Sequence, residues 1–222
     1  MPHTLYEHSF PLGELGLWAI KESESWFLER LELHAEELMQ LNAIKGEGRR
    51  LEFLAARLLL HRLSHRKRRG ALVKDEYGKP RLENSPYYIS ISHTSGMSAA
   101  FAHPSACGVD VQRLVHKIHR IAPKFINERE AKTLHPEDEH RLLIEQHLIW
   151  SAKEAMYKAY GRKQIDFKAH LTVDLVDTAK QSGQMAGRLH KDGLEIDYDL
   201  DFRVLDEEIV LVVAVERRRN AG

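Results

Sequence analysis

Trp150-Ser151-Ala152-Lys153-Glu154-Ala155-Met156-Tyr157-Lys158-Ala159-Tyr160-Gly161 closes a helical pattern that begins near Pro136. Gly161 stands where a helix C-terminus favours a residue free to adopt positive φ. The period then changes. Leu171–Val176, Met185–His190, Leu194–Leu200 and Ile209–Val215 alternate or run apolar, as antiparallel strands do. Upstream, Cys107–Val111 reads as a strand, and Asn127 followed by Glu130 reads as a capping box with Asn in place of Ser or Thr. The first half has the same order. Residues 5–20 predict a short strand or two. Ser23 or Ser25 predicts the cap of a helix carrying Trp26, Leu31, Leu38 and Met39. A second helix is predicted from about Glu47 to Arg66, with Gly70 as its stop. Tyr87–Ser92 and Met97–Ala102 form a hairpin about Thr94-Ser95-Gly96. Each half of the chain therefore reads as helices followed by strands. A soft boundary near residues 103–107 divides it into 1–105 and 106–222.

Composition narrows the class. The 222 residues are 43% hydrophobic and 30% charged, as in ordinary globular proteins. Lys plus Arg and Asp plus Glu are 33 each, so global charge points to neither nucleic acid nor membrane. There is no apolar run long enough to span a bilayer, and MPHTLYEHSF lacks the pattern of a secretory signal. A cytoplasmic location is the expectation. Cys107 is the sole cysteine, which rules out an intramolecular disulfide. Before a glycine on a strand, it reads as a small buried hydrophobe. The 14 histidines show no compelling metal-ligand spacing.

Four short segments carry chemistry. In Gly108-Val109-Asp110-Val111-Gln112, alternation puts Val109 and Val111 on one side and Asp110 and Gln112 on the other. A carboxylate on so apolar a strand requires a cation or donor if it is buried. Exposure on a half-buried strand is the alternative. On the helix, Trp150, Glu154 and Lys158 fall at i, i+4 and i+8. Glu154 can hold a hard cation through oxygen, and Lys158 can neutralise phosphate charge. A solvated Glu–Lys pair worth a few tenths of a kcal/mol is the competing reading, and Trp150 on the same face argues against it. Ser92-His93 at a strand end and Gly78-Lys79-Pro80-Arg81 in a turn are both free to face a phosphate.

Order and spacing together resemble the 4′-phosphopantetheinyl transferase superfamily, in its long, pseudo-dimeric, surfactin-synthetase-activating type. The matching segments are Gly78-Lys79-Pro80, Ile91-Ser92-His93-Thr94, Gly108-Val109-Asp110-Val111, Phe125–Glu130 and the Trp150–Gly161 block. Arg49–Arg57 resembles a helix of the siderophore-synthesis branch. The resemblance implies two similar α+β halves about a pseudo-twofold axis, with a coenzyme A cleft between them. It implies magnesium (manganese as an alternative) on Asp110 and Glu154, and Lys158 on the coenzyme A pyrophosphate. Lys79, Pro80, Ser92 and His93 would line the nucleotide pocket, with Arg50 as a further phosphate contact and Arg57 structural. Many members carry an acid where this chain has Gln112, whose amide oxygen can ligate the metal directly or through water, but without a charge. The partner implied is an apo acyl- or peptidyl-carrier protein. A catalytically silent coenzyme-A-binding paralogue is the alternative. The basic run Arg62–Arg69 reads as a solvated helix end or a contact for an acidic carrier. Nucleic acid is not expected.

Overall fold

The protein is described by a computed structural model over residues 4–8, 13–175, 178 and 180–217. It separates into two compact units, Met1–Pro104 and Ser105–Gly222. In the first, β1 (Thr4–His8) and β2 (Glu14–Ala19) pair antiparallel. Residues 9–12 of the 5–20 stretch lie outside the described residues. Ser23 caps α1 (Glu24–Leu28), its Oγ accepting the Trp26 N–H at 3.3 Å. The single helix expected to carry Trp26 through Met39 is two. The chain leaves α1 after Leu28, turns Leu31 into the core, and restarts as α2 (Ala35–Ala43), where Glu37 accepts the His34 N–H at 3.1 Å. Leu38 and Met39 are exposed.

The long helix α3 (Glu47–Leu63) lays Leu54, Ala55, Leu58 and Leu59 into a core shared with Trp18, Phe27, Ile89 and Ala100. It ends before Gly70: Ser64 closes it and His65 takes positive φ. The basic residues Arg66–Arg69 thus follow the helix rather than ending it. The short ribbon β3 (Leu72–Lys74) and β4 (Pro80–Leu82) precedes the hairpin of β5 (Tyr88–Thr94) and β6 (Met97–His103). The larger sheet runs β1-β2-β6-β5.

The second unit opens with β7 (Cys107–Arg113). Short helices α4 (Ile118–Ile121) and α5 (Glu128–Ala131) follow, with a 3-10 turn at Ala122–Lys124 between them. The Asn127–Glu130 capping box is present: Asn127 Oδ1 accepts the Glu130 N–H and Glu130 Oε2 accepts the Asn127 N–H, each at 2.9 Å. The main helix α6 (Glu139–Tyr160) starts where Asp138 accepts the Arg141 N–H, three residues later than the pattern from Pro136 suggests. Gly161 ends it at φ 73°. Then come α7 (Phe167–His170), β8 (Leu171–Asp174), β9 (Ser182–Lys191), β10 (Leu194–Leu205) and β11 (Ile209–Glu216). Val176, read as the end of a strand, lies outside the described residues. β10 outruns its predicted end because Phe202 and Val204 continue the buried alternation.

The five strands form an antiparallel sheet in the order β7-β11-β10-β9-β8. α6 packs across it through Leu148, Ala152, Ala155 and Met156 against Leu189, Leu200, Val210 and Val212. Each large side chain so removed from water contributes about 1.5–3 kcal/mol. In the first unit β6 returns to pair with β2, and in the second β11 returns to pair with β7.

Candidate functional site

β7 is an edge strand of its sheet, paired with β11 so that Asp110 stands opposite Val212 and Gln112 opposite Val210. The strand lies close against α6. A Cβ on Gly108 would sit 1.9 Å from the Ala155 carbonyl oxygen, so only glycine allows this approach. The closeness brings the charged residues together. Lys158 Nζ donates to Asp110 Oδ1 at 2.8 Å and to the Val109 carbonyl at 3.0 Å. Gln112 Nε2 donates to Asp110 Oδ2 at 3.2 Å, which places Gln112 on the side that alternation predicts. Asp110 is 2% exposed. The Lys158 side chain keeps 27% exposure and is reachable from solvent.

Glu154 lies one turn before Lys158 and is half-buried. Burial raises its pKa, the nearby Asp110 raises it further, and Lys158 pulls it partly back. Two carboxylates whose charges oppose one another across a small space make a site that favours a cation. The groups that could offer ligands, the Asp110 and Glu154 carboxylates and the Gln112 amide, would all do so through oxygen. No cluster of three or more His, Cys, Asp or Glu placed for a metal occurs among the described residues. A magnesium site needs no such cluster, since one or two carboxylates complete its shell with water and substrate phosphates. The residues fit a hard divalent cation.

Lys153 is a residue the sequence reading passed over. Its ammonium is fully buried, donating to the Phe125 carbonyl at 2.6 Å, Glu130 Oε2 at 2.7 Å and the Phe167 carbonyl at 2.9 Å. Glu130 Oε1 also accepts the Val173 N–H at 2.9 Å. One ion pair therefore ties α5, α7 and β8 to α6, one residue from Glu154. Desolvation lowers the Lys153 pKa, and Glu130 opposes that. The sequence signal was the capping-box Glu130 together with a lysine set among Ala152, Ala155 and Met156. Trp150 packs edge-on to Phe125, ring centroids 4.9 Å apart, and tilted on Phe167. Beyond β7, the Val115 N–H donates to His147 Nε2 at 3.2 Å, while His147 Nδ1 donates to the Leu143 carbonyl at 2.8 Å. This fixes the chain leaving the strand to α6, and burial lowers the pKa of His147.

The remaining predicted residues lie in the first unit. Gly78 takes φ 87° in the β3–β4 turn, and Asp75 Oδ1 accepts the Lys79 N–H at 2.9 Å. Pro80 opens β4. The Lys79 ammonium lies 5.8 Å from the Tyr88 ring centroid. Ser92 is buried on β5, and the exposed His93 has Nε2 3.7 Å from Glu52. Arg50, expected as a further phosphate contact, is paired within the first unit. Its Nε donates to Glu24 at 2.7 Å, a second nitrogen pairs with the same carboxylate, and a third meets the Leu41 and Ile44 carbonyls. These contacts join α1 and the end of α2 to α3 and take up the fork that a phosphate would need. The bond from Arg50 lowers the Glu24 pKa. Arg57 is buried, 3.2 Å from Glu37.

Residues 106–213, nearly half of the chain and most of its second unit, match the family model of the 4′-phosphopantetheinyl transferase superfamily. The match supports that superfamily and contains Asp110, Gln112, Glu154 and Lys158. No curated protein matches the chain significantly. No helix among the described residues is long and apolar enough to cross a membrane.

Proposed function

We propose that the protein transfers the 4′-phosphopantetheine arm of coenzyme A to a serine of an apo acyl- or peptidyl-carrier protein. One observation carries the reading: inside the segment that matches the superfamily, Asp110, Gln112, Glu154 and Lys158 gather where β7 meets α6. Superfamily members use coenzyme A and a divalent metal. Asp110 and Glu154 would hold the cation, magnesium in our proposal, with Gln112 as a neutral neighbour. Bound there, the cation would offset charge on the pyrophosphate and on the departing bisphosphate.

The carrier serine Oγ attacks the phosphorus that bears pantetheine. The bond to the bridging oxygen breaks, and adenosine 3′,5′-bisphosphate leaves with that electron pair. Lys158 meets the charge growing on the phosphate oxygens. Glu154, directly or through a water it orients, accepts the serine proton. A carboxylate that also holds the cation is a weak base, which favours the water relay. Contacts of Lys79, Pro80, Ser92 and His93 with the nucleotide belong to the same proposal. Arg50 is the weaker phosphate candidate in this proposal, since it would have to leave Glu24 to make the contact.

The test incubates the protein with coenzyme A, magnesium and a panel of apo-carriers and reads the mass gain by mass spectrometry. Transfer by the parent and near-complete loss in folded Asp110→Asn and Glu154→Gln is the expected result. Coenzyme A binding without transfer to any carrier would favour a silent binding protein. Near-normal turnover in either variant would remove these carboxylates from the site.

A further inference from the structure

The ion pair between Lys158 and Asp110 has a consequence for the order in which ligands arrive. Asp110 is almost fully buried, and both its oxygens are engaged, Oδ1 by the Lys158 ammonium at 2.8 Å and Oδ2 by the Gln112 amide at 3.2 Å. A cation approaching Asp110 therefore meets a carboxylate already paired with a positive charge. Lys158 is only partly enclosed and sits on a flexible stem, so its ammonium can move to a new anion without disturbing the helix. It also donates to the Val109 carbonyl at 3.0 Å, beside the strand.

We infer that Lys158 competes with the metal for Asp110 and that an incoming pyrophosphate relieves the competition by drawing the ammonium away. The inference rests on the functional reading above and adds a coupling to it. The cation and coenzyme A each bind more tightly when the other is present, because Lys158 serves Asp110 in the absence of phosphate and the phosphate once it arrives. Linkage makes the effect reciprocal.

Calorimetric titration of magnesium into the full chain, with and without saturating coenzyme A, tests this. In the free parent, magnesium binds weakly. Lys158→Met, which keeps the length and loses the charge, tightens magnesium binding without coenzyme A by roughly 5- to 150-fold, the usual span of coupling between two ligands. Lys158→Arg keeps the competing charge and stays near the parent. Coenzyme A strengthens magnesium binding in the parent much more than in Lys158→Met. Circular dichroism and thermal melts check that both variants fold. Equal magnesium affinity in the free parent and folded Lys158→Met overturns the inference, as does tight binding to the free parent. If carrier modification is nevertheless observed, only the coupling falls. If neither magnesium nor coenzyme A binds any of the proteins, the functional reading falls with it.

Discussion

Glu154 is held in a state that its own chemistry resists. Its pKa is raised by burial and by Asp110, with Lys158 offsetting part of the effect. A carboxyl whose folded pKa is raised contributes stability that is fully present below its unfolded value. That contribution is lost as pH rises through the folded value, because the charge must then form in a half-buried place beside another. At neutral pH the side chain therefore opposes folding. Glu154→Gln should raise the unfolding free energy at pH 7 by about 0.5–2 kcal/mol, the usual scale for relieving such strain. The gain should shrink toward pH 4. Denaturant titrations across pH would read it, and a variant less stable than the parent at pH 7 would contradict it. Part of this was legible beforehand. Alternation put Asp110 and Gln112 on one side, and helical spacing put Glu154 and Lys158 on one face. The partners of Arg50 and Lys153 were not legible, since Glu24 and Glu130 lie far along the chain and only the folded backbone brings them close.

At the scale of elements, the contact between β7 and α6 sets the site. Gly108 faces the Ala155 carbonyl with no room for a methyl group. Gly108→Ala should push strand and helix apart and destabilise the protein by about 3 kcal/mol, the upper end for overpacking. Gly48, within α3, has open space around it, so Gly48→Ala should be neutral or stabilise by up to about 1 kcal/mol. Chemical denaturation of the two variants reads the contrast, and equal midpoints would dismiss the close approach. The sequence announced α6 and β7 through period and capping, because those signals are local. It missed the break between α1 and α2. That break depends on Leu31 entering a core assembled from α3 and the sheet, which no window around Leu31 contains.

Across the whole molecule, formal charge balances, so recognition of an acidic partner must come from local patches. The basic run is less available than it reads. Arg62 stacks on Trp18, Arg66 donates to the Glu83 and Asn84 carbonyls, and Arg69 pairs with the buried Glu37. Lys67 and Arg68 stay exposed. If the run meets a carrier, Lys67→Ser with Arg68→Ser should raise the Michaelis constant for the carrier more than that for coenzyme A, and more at low salt. Unchanged constants would leave these two charges to the solvent. Arg69→Ser should instead lower the melting temperature, since it strips a partner from Glu37. Lys153 offers a different handle on the whole second unit. It is the only lysine fully enclosed among the described residues. An amine-acylating reagent will modify exposed lysines first and leave Lys153 untouched until the core opens. Its slow labelling, followed by peptide mapping, is then a clock for unfolding of this unit that needs no engineered probe.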